Sequence, residues 1–122
     1  SNEVQSVVTK AVGECDALYI PTDNTIANNT EIVKNVAVPA GIPVVTGEEG
    51  MCSGCGLATL SISYYDLGVK AAEMAYEILT NGADPAQMAI GYVTDGITEK
   101  YNADIAEALN ITIPEDMVAI EN

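Results

Sequence analysis

Ala17-Leu-Tyr-Ile-Pro-Thr-Asp-Asn-Thr-Ile26 is a short apolar run, a proline, and then a cluster of polar side chains at the start of a helical pattern. An apolar strand that stops at Pro21 delivers Thr22, Asp23, Asn24 and Thr25 to its carboxyl end, where open α/β sheets bind their ligands. This turn is the candidate binding edge, and the other stretches are placed by their distance from it.

Upstream, Val4, Val7, Val8, Ala11 and Val12 recur at helical spacing, so residues 3 to 14 are expected to be an amphipathic helix. Ser1-Asn2 reads as a tag remnant or a processed end. The helix feeds a strand without following one, which for a βαβ unit implies further sequence upstream. Downstream, Ile26, Ile32, Val33, Val36 and Ala37 share one side of a second helix over residues 24 to 37, with Asp23 or Asn24 as its N-cap. Ile42-Pro-Val-Val-Thr46 is a second buried strand, and it ends in another polar turn, Thr46-Gly-Glu-Glu-Gly50. Two strands therefore end on one edge. Met51 to Gly56 reads as a loop and Leu57 to Ser63 as an imperfect strand. Tyr65 to Thr80 is the longest helical pattern, with Leu67, Ala71, Met74, Ala75, Ile78 and Leu79 on one face and Asn81-Gly82 as its stop. Met88 to Thr94 is expected to be a strand, Asn102 to Leu109 a short helix, and Ile111 to Pro114 a closing tail. This alternation predicts an α/β fold with a parallel, doubly wound sheet.

A chain of 122 residues is one domain in length. Hydrophobic residues make up 48% of it and all 6 aromatics are tyrosine, so the core falls to Val, Ile, Leu, Ala and Met. No apolar run approaches the roughly 20 residues that cross a bilayer, and the amino terminus lacks a signal-peptide layout. A net charge of -14 with only 4 basic residues argues against nucleic acid and anionic membranes as partners. The acidic residues read as a solvated surface. Cys15, Cys52 and Cys55 stand in a chain without histidine, so a closed zinc site would need a second chain. Ser-His and Cys-His catalysis are removed with the histidine.

Taken together, Asp16 to Thr25, Gly41-Ile-Pro-Val-Val45, Gly56-Leu-Ala-Thr59, Ser63-Tyr-Tyr-Asp-Leu-Gly68, Ala75 to Gly82 and Leu109-Asn-Ile-Thr-Ile-Pro114 carry a resemblance. In order and spacing the chain resembles the carboxy-terminal part of the tryptophan/tyrosine group of ABC-importer substrate-binding proteins. The resemblance implies a Rossmann-like three-layer parallel sheet, part of a bilobal type I periplasmic-binding-protein fold with the ligand held between the lobes. Residues 1-56 would be the later part of the second lobe. Residues 57-122 would hold a crossover strand, a first-lobe helix and the carboxy-terminal segment. The implied function is that of an extracytoplasmic receptor, periplasmic or anchored as a lipoprotein, with its signal segment outside this chain. It would capture an amino acid, preferably aromatic, and present it to the ABC permease.

A free amino acid presents a carboxylate, which helix-start N–H groups and hydroxyls suit, and an ammonium, which a carboxylate suits. Thr22, Asp23, Asn24 and Thr25 have that equipment, and the resemblance makes them ligand contacts rather than a plain helix cap. Tyr64 and Tyr65 sit where the presumed crossover meets the long helix, to stack on the ligand or to pack at a helix start. Glu48, with Glu49 beside it, lies on the same edge, either for an ammonium or as a solvated loop carboxylate. The Cys52-Ser-Gly-Cys55 spacing is flanked by glycines and no helix follows it, so it reads as a local disulfide or two free thiols. Cys15 reads as a small buried hydrophobe. Catalytic residues, metal ligands and cofactors are not expected. Two other classes stay open. One is the ligand-sensing domain of a transcriptional regulator. The other is a small flavodoxin-like or CxxC thiol enzyme, which lacks its phosphate-cradling glycine loop or helix-start cysteine. Exposed lobe surface would also favour a homodimer.

Overall fold

The computed structural model describes residues 2–121. In chain order the first elements are α1 (Asn2–Val12), β1 (Leu18–Ile20), α2 (Asn24–Ala27), α3 (Thr30–Ala37), β2 (Val44–Thr46) and α4 (Glu49–Cys55). There follow β3 (Ala58–Ser61), α5 (Tyr64–Asn81), β4 (Thr98–Tyr101), α6 (Ala103–Leu109) and β5 (Val118–Ala119). The chain forms two units, one of residues 62–97 and one of everything before and after them.

The larger unit is a five-stranded sheet in the order β1-β2-β3-β4-β5, with helices on both faces. β1, β2 and β3 run parallel, β4 is antiparallel to β3, and β5 is parallel to β4. The α/β class is as expected, and the all-parallel order is corrected at one pairing. Ser61 pairs with Thr98. The chain thus leaves the edge at the end of β3 and re-enters beside that same point, so β4 has to run back along β3.

One face of this sheet carries Val44, Thr46, Thr59 and Ser61, all buried, with Leu18 and Ile20 beside them. Val4 and Val8 of α1, Val33 and Ala37 of α3 and Cys55 of α4 close over Val44 as one core cluster. On the other face Ala58 and Tyr101, adjacent in register, pack with Leu57, Ile105 and Ala106. Ile111 and Ile113 of the closing tail join that second cluster. Tyr19, Val45 and Leu60, on the same reverse face, are exposed.

Two further expectations are corrected in this unit. A continuous helix over residues 24 to 37 does not form, because the Asn28 and Asn29 amides donate back to the carbonyls of Asn24 and Thr25, at 2.8 and 2.7 Å. Such local bonds compete with helix propagation, and Asn29 leaves the helical region at φ -137 before α3 restarts. The supposed loop from Met51 is helix α4. Its glycines are poor helix formers, yet Met51, Cys52 and Cys55 are buried to 1%, 0% and 1% exposure, and tertiary packing decides the conformation. Gly54 matters here, since a Cβ at that position would collide with the Thr30 side chain.

In the smaller unit, α5 begins at an N-cap, Ser63, whose hydroxyl accepts from Asp66 N, and ends at Gly82 in the left-handed region. The expected stop is observed, and the helix starts one residue earlier than expected, at Tyr64. No residue of α5 is buried, and Leu79 of its apolar face is 84% exposed. The strand expected over Met88 to Thr94 is absent, because within this unit the segment has a helix to lie on and no strand to pair with. Gly91 sits against Met74 and Lys70 of α5, while Ile90 and Tyr92 face solvent. No helix among the described residues is long and apolar enough to cross a membrane.

Asn102, 3% exposed, joins α4 to α6. Its side-chain NH2 donates to the carbonyls of Cys52 and Ser53 at 3.2 and 2.9 Å, and its carbonyl accepts from Asp104 N and Ile105 N as the α6 N-cap. Asn102→Ala removes the α6 cap together with the donor to the Cys52 and Ser53 carbonyls, so a loss of about 2–3 kcal/mol is expected in urea unfolding. Asn102→Asp retains the cap but sets a carboxylate against two carbonyls, and should lose at least as much.

Candidate functional site

The carboxyl ends of β1, β2 and β3 bring together the Pro21–Thr25 turn, the Gly47–Glu48 turn and Ser61. Pro21 has no N–H and so cannot extend the ladder beyond Ile20. The Ile20 carbonyl instead accepts from Gly47 N at 2.9 Å, which ties the first two turns together. Their closeness depends on Gly47 having no side chain. A Cβ there would stand 2.8 Å from both the backbone N and the Oγ1 of Thr22.

Each of these turns starts a helix, and each supplies its own carboxylate cap. Asp23, extended at φ -146, accepts from Ile26 N at 2.9 Å. Glu48, extended at φ -159, accepts from Gly50 N and Met51 N. Thr46 Oγ1 donates to the Glu48 carbonyl at 3.1 Å and Thr59 Oγ1 to the Thr46 carbonyl at 2.8 Å, which fixes the β2–α4 turn from beneath. Glu49, in the first turn of α4, accepts from Lys100 Nζ at 2.8 Å and from Ser61 Oγ at 3.0 Å, both on Oε2. The Lys100 ammonium, helped by the Ser61 hydroxyl, holds the Glu49 carboxyl below its ordinary range against the opposing effect of burial.

Thr22, Asp23, Asn24 and Thr25 are all exposed on this edge, and the structure brings them beside Glu48 through the Gly47 contact. Glu48 is a half-buried helix cap rather than a loop carboxylate. Tyr64 and Tyr65 open α5 in the other unit, 60% and 80% exposed. That unit has a groove of about 720 Å³ between α5 and residues 88–92, which neither tyrosine lines. Lys100 is the residue that the sequence reading missed. Its available signal was scarcity, as one of 4 basic residues in the chain.

The cysteines are all free. Of the two alternatives for Cys52 and Cys55, the disulfide is not formed. The two lie within the helical turns of α4, where Cys52 Sγ donates to the Gly56 carbonyl at 3.5 Å. Burial pushes both thiols up from 9.0 to about 11, the reverse of an activated cysteine. Cys15, expected inside, is exposed, because α1 ends at Val12 and leaves it in the connection to β1.

An open α/β sheet whose strand ends converge on charged, self-capped turns is the frame of a small-ligand-binding module. Residues 1–121 match the ABC transporter substrate binding protein family, and the chain belongs to it. It is 44% identical over 79 residues to a tyrosine-binding protein of Clostridioides difficile, a match that covers 65% of this chain and 23% of the relative. It superposes on the ligand-free, open structure of a substrate binding protein with adhesive properties from the same bacterium, with 36% identity, TM-score 0.74, 99% of this chain and 41% of the other. It superposes also on a Streptococcus pneumoniae ABC domain in complex with L-Trp, with 32% identity, TM-score 0.82, 98% of this chain and 41% of the other. The chain thus spans 23% of the curated relative and 41% of each of these structures.

Two outcomes follow from the geometry. Thiol labelling at pH 8 should modify Cys15 quickly and reach Cys52 and Cys55 only on unfolding. The raised thiol pKa values favour the folded state fully below about 9, and that contribution should be lost as pH climbs toward 11, because the unfolded thiols ionise first. Separately, Gly47→Ala should displace the Thr22 backbone, lowering the melting temperature and any affinity carried by this edge.

Proposed function

We propose that the chain is the carboxy-terminal part of an extracytoplasmic receptor of an ABC importer, which captures an amino acid, aromatic by preference, and delivers it to the permease. The observation that carries this reading is the family match over residues 1–121, joined to relatives described as tyrosine-binding and as bound to L-Trp. In this reading the larger unit contributes a wall of the site through Thr22, Asp23, Asn24, Thr25 and Glu48. Tyr64 and Tyr65 offer an exposed aromatic surface on the smaller unit. The exposed apolar side chains of α5 and of the reverse sheet face support a larger parent protein, since isolated domains rarely leave so many uncovered. Transport itself would use closure on the ligand, a population shift toward a form that the permease distinguishes from the empty one. The family is one of substrate-binding proteins, and no catalytic step is assigned to these residues.

The test is calorimetric titration of the receptor in full length with tyrosine, tryptophan, phenylalanine and leucine. Saturable binding of an aromatic amino acid is expected. Asp23→Asn retains the helix cap, since Asn caps as well as Asp, but removes the charge, and should weaken binding about tenfold. A folded receptor that takes up none of the four would overturn the amino-acid assignment.

A further inference from the structure

We infer that Glu49 and Lys100 form a two-pole clamp for the head group of an α-amino acid, Glu49 taking its ammonium and Lys100 its carboxylate. The inference rests on the amino-acid reading above and deepens it by assigning the poles. An α-amino acid is a zwitterion. A site of one net charge attracts one end of it and repels the other, whereas a matched pair of opposite charges gains from both.

Along this edge three of the helix-start donors are already engaged. Asp23 holds Ile26 N, and Glu48 holds Gly50 N and Met51 N. A ligand carboxylate arriving here meets capped amides and three acidic side chains, Asp23, Glu48 and Glu49. The cation that offsets them is Lys100. Of the other 3 basic residues of the sequence, Lys10 and Lys34 stand on α1 and α3, and Lys70 stands on α5 of the other unit.

The pair is built to accept a further partner. Lys100 and Ser61 both bond Glu49 Oε2, and neither uses Oε1. An ammonium carries three donors, and the bond to Glu49 uses one of those on Lys100. The side chains are 27% and 39% exposed, open to a ligand yet held by the sheet and by α4. The ladder pairing of Lys100 with Thr59 and the place of Glu49 in the first turn of α4 set the poles before any ligand arrives.

The experiment compares three ligands on the full-length receptor by calorimetry: tyrosine, tyramine, which lacks the carboxylate, and 3-(4-hydroxyphenyl)propanoate, which lacks the ammonium. Wild type should bind tyrosine at least about tenfold more tightly than either analogue. Lys100→Met should weaken tyrosine about tenfold to a hundredfold and leave tyramine within about twofold. Glu49→Gln should weaken tyrosine and tyramine and spare the propanoate, while Lys100→Arg should restore most of the tyrosine affinity. Equal weakening of tyrosine and tyramine by Lys100→Met, or no weakening, would reduce the pair to a tie between α4 and β4 and overturn the clamp. The wild-type comparison needs no variant to fold: an analogue that binds as tightly as tyrosine also overturns it. A wild-type receptor that binds no amino acid brings down the receptor reading and the clamp with it, whereas tyrosine binding with a flat Lys100→Met result removes the clamp alone.

Discussion

The Asn102 side chain is where the two helical layers of the sheet meet. Helix α4 closes one face and α6 the other, and one amide reaches the end of the first and the start of the second. Asparagine suits the position because it donates and accepts at once. The last turn of α4 presents the Cys52 and Ser53 carbonyls to the Asn102 donors, and the amides at the start of α6 need an acceptor. Aspartate lacks the donors and alanine lacks both. With this joint in place α4 holds a fixed height above the sheet, and so do Glu48 and Glu49 at its opposite end.

That position decides the electrostatics of the carboxyl edge. Many anion sites in α/β proteins use free amides at a helix start, but the helices starting from β1 and β2 neutralise theirs with Asp23 and Glu48. The edge is therefore acidic, with its own carboxylates stabilised by the helix dipoles. Lys100 brings a positive charge up from β4 to Glu49. β4 reaches this point because Thr98 pairs with Ser61, so the antiparallel strand that broke the expected parallel order also delivers the cation.

Some of this was legible in the sequence. The amphipathic α1, the α5 helix with its Gly82 stop, the Asp23 cap and the short strands ending in polar turns are local patterns, and each was readable from spacing and turn chemistry. The misses were non-local. Helix α4 has glycines that argue against it, and it exists because Gly54 admits Thr30 and because Met51, Cys52 and Cys55 find a core. Residues 88–94 have a strand's composition and no ladder within their unit. The Asn28-Asn29 break was the exception, a local competition between side chain and backbone that apolar periodicity concealed.

The sequence by itself determined the α/β class, the turn that opens at Thr22, the absence of histidine chemistry and a likeness to substrate-binding proteins spread over most of the chain. These are properties of neighbouring residues and of composition, so a linear reading recovers them. Tertiary structure alone decided that Glu48 is a cap, that Cys52 and Cys55 are buried as free thiols, and that Lys100 meets Glu49 across 51 positions. A hydrogen bond or an ion pair depends on distance in space, and the order of residues along the chain does not encode that distance until the sheet has set its register.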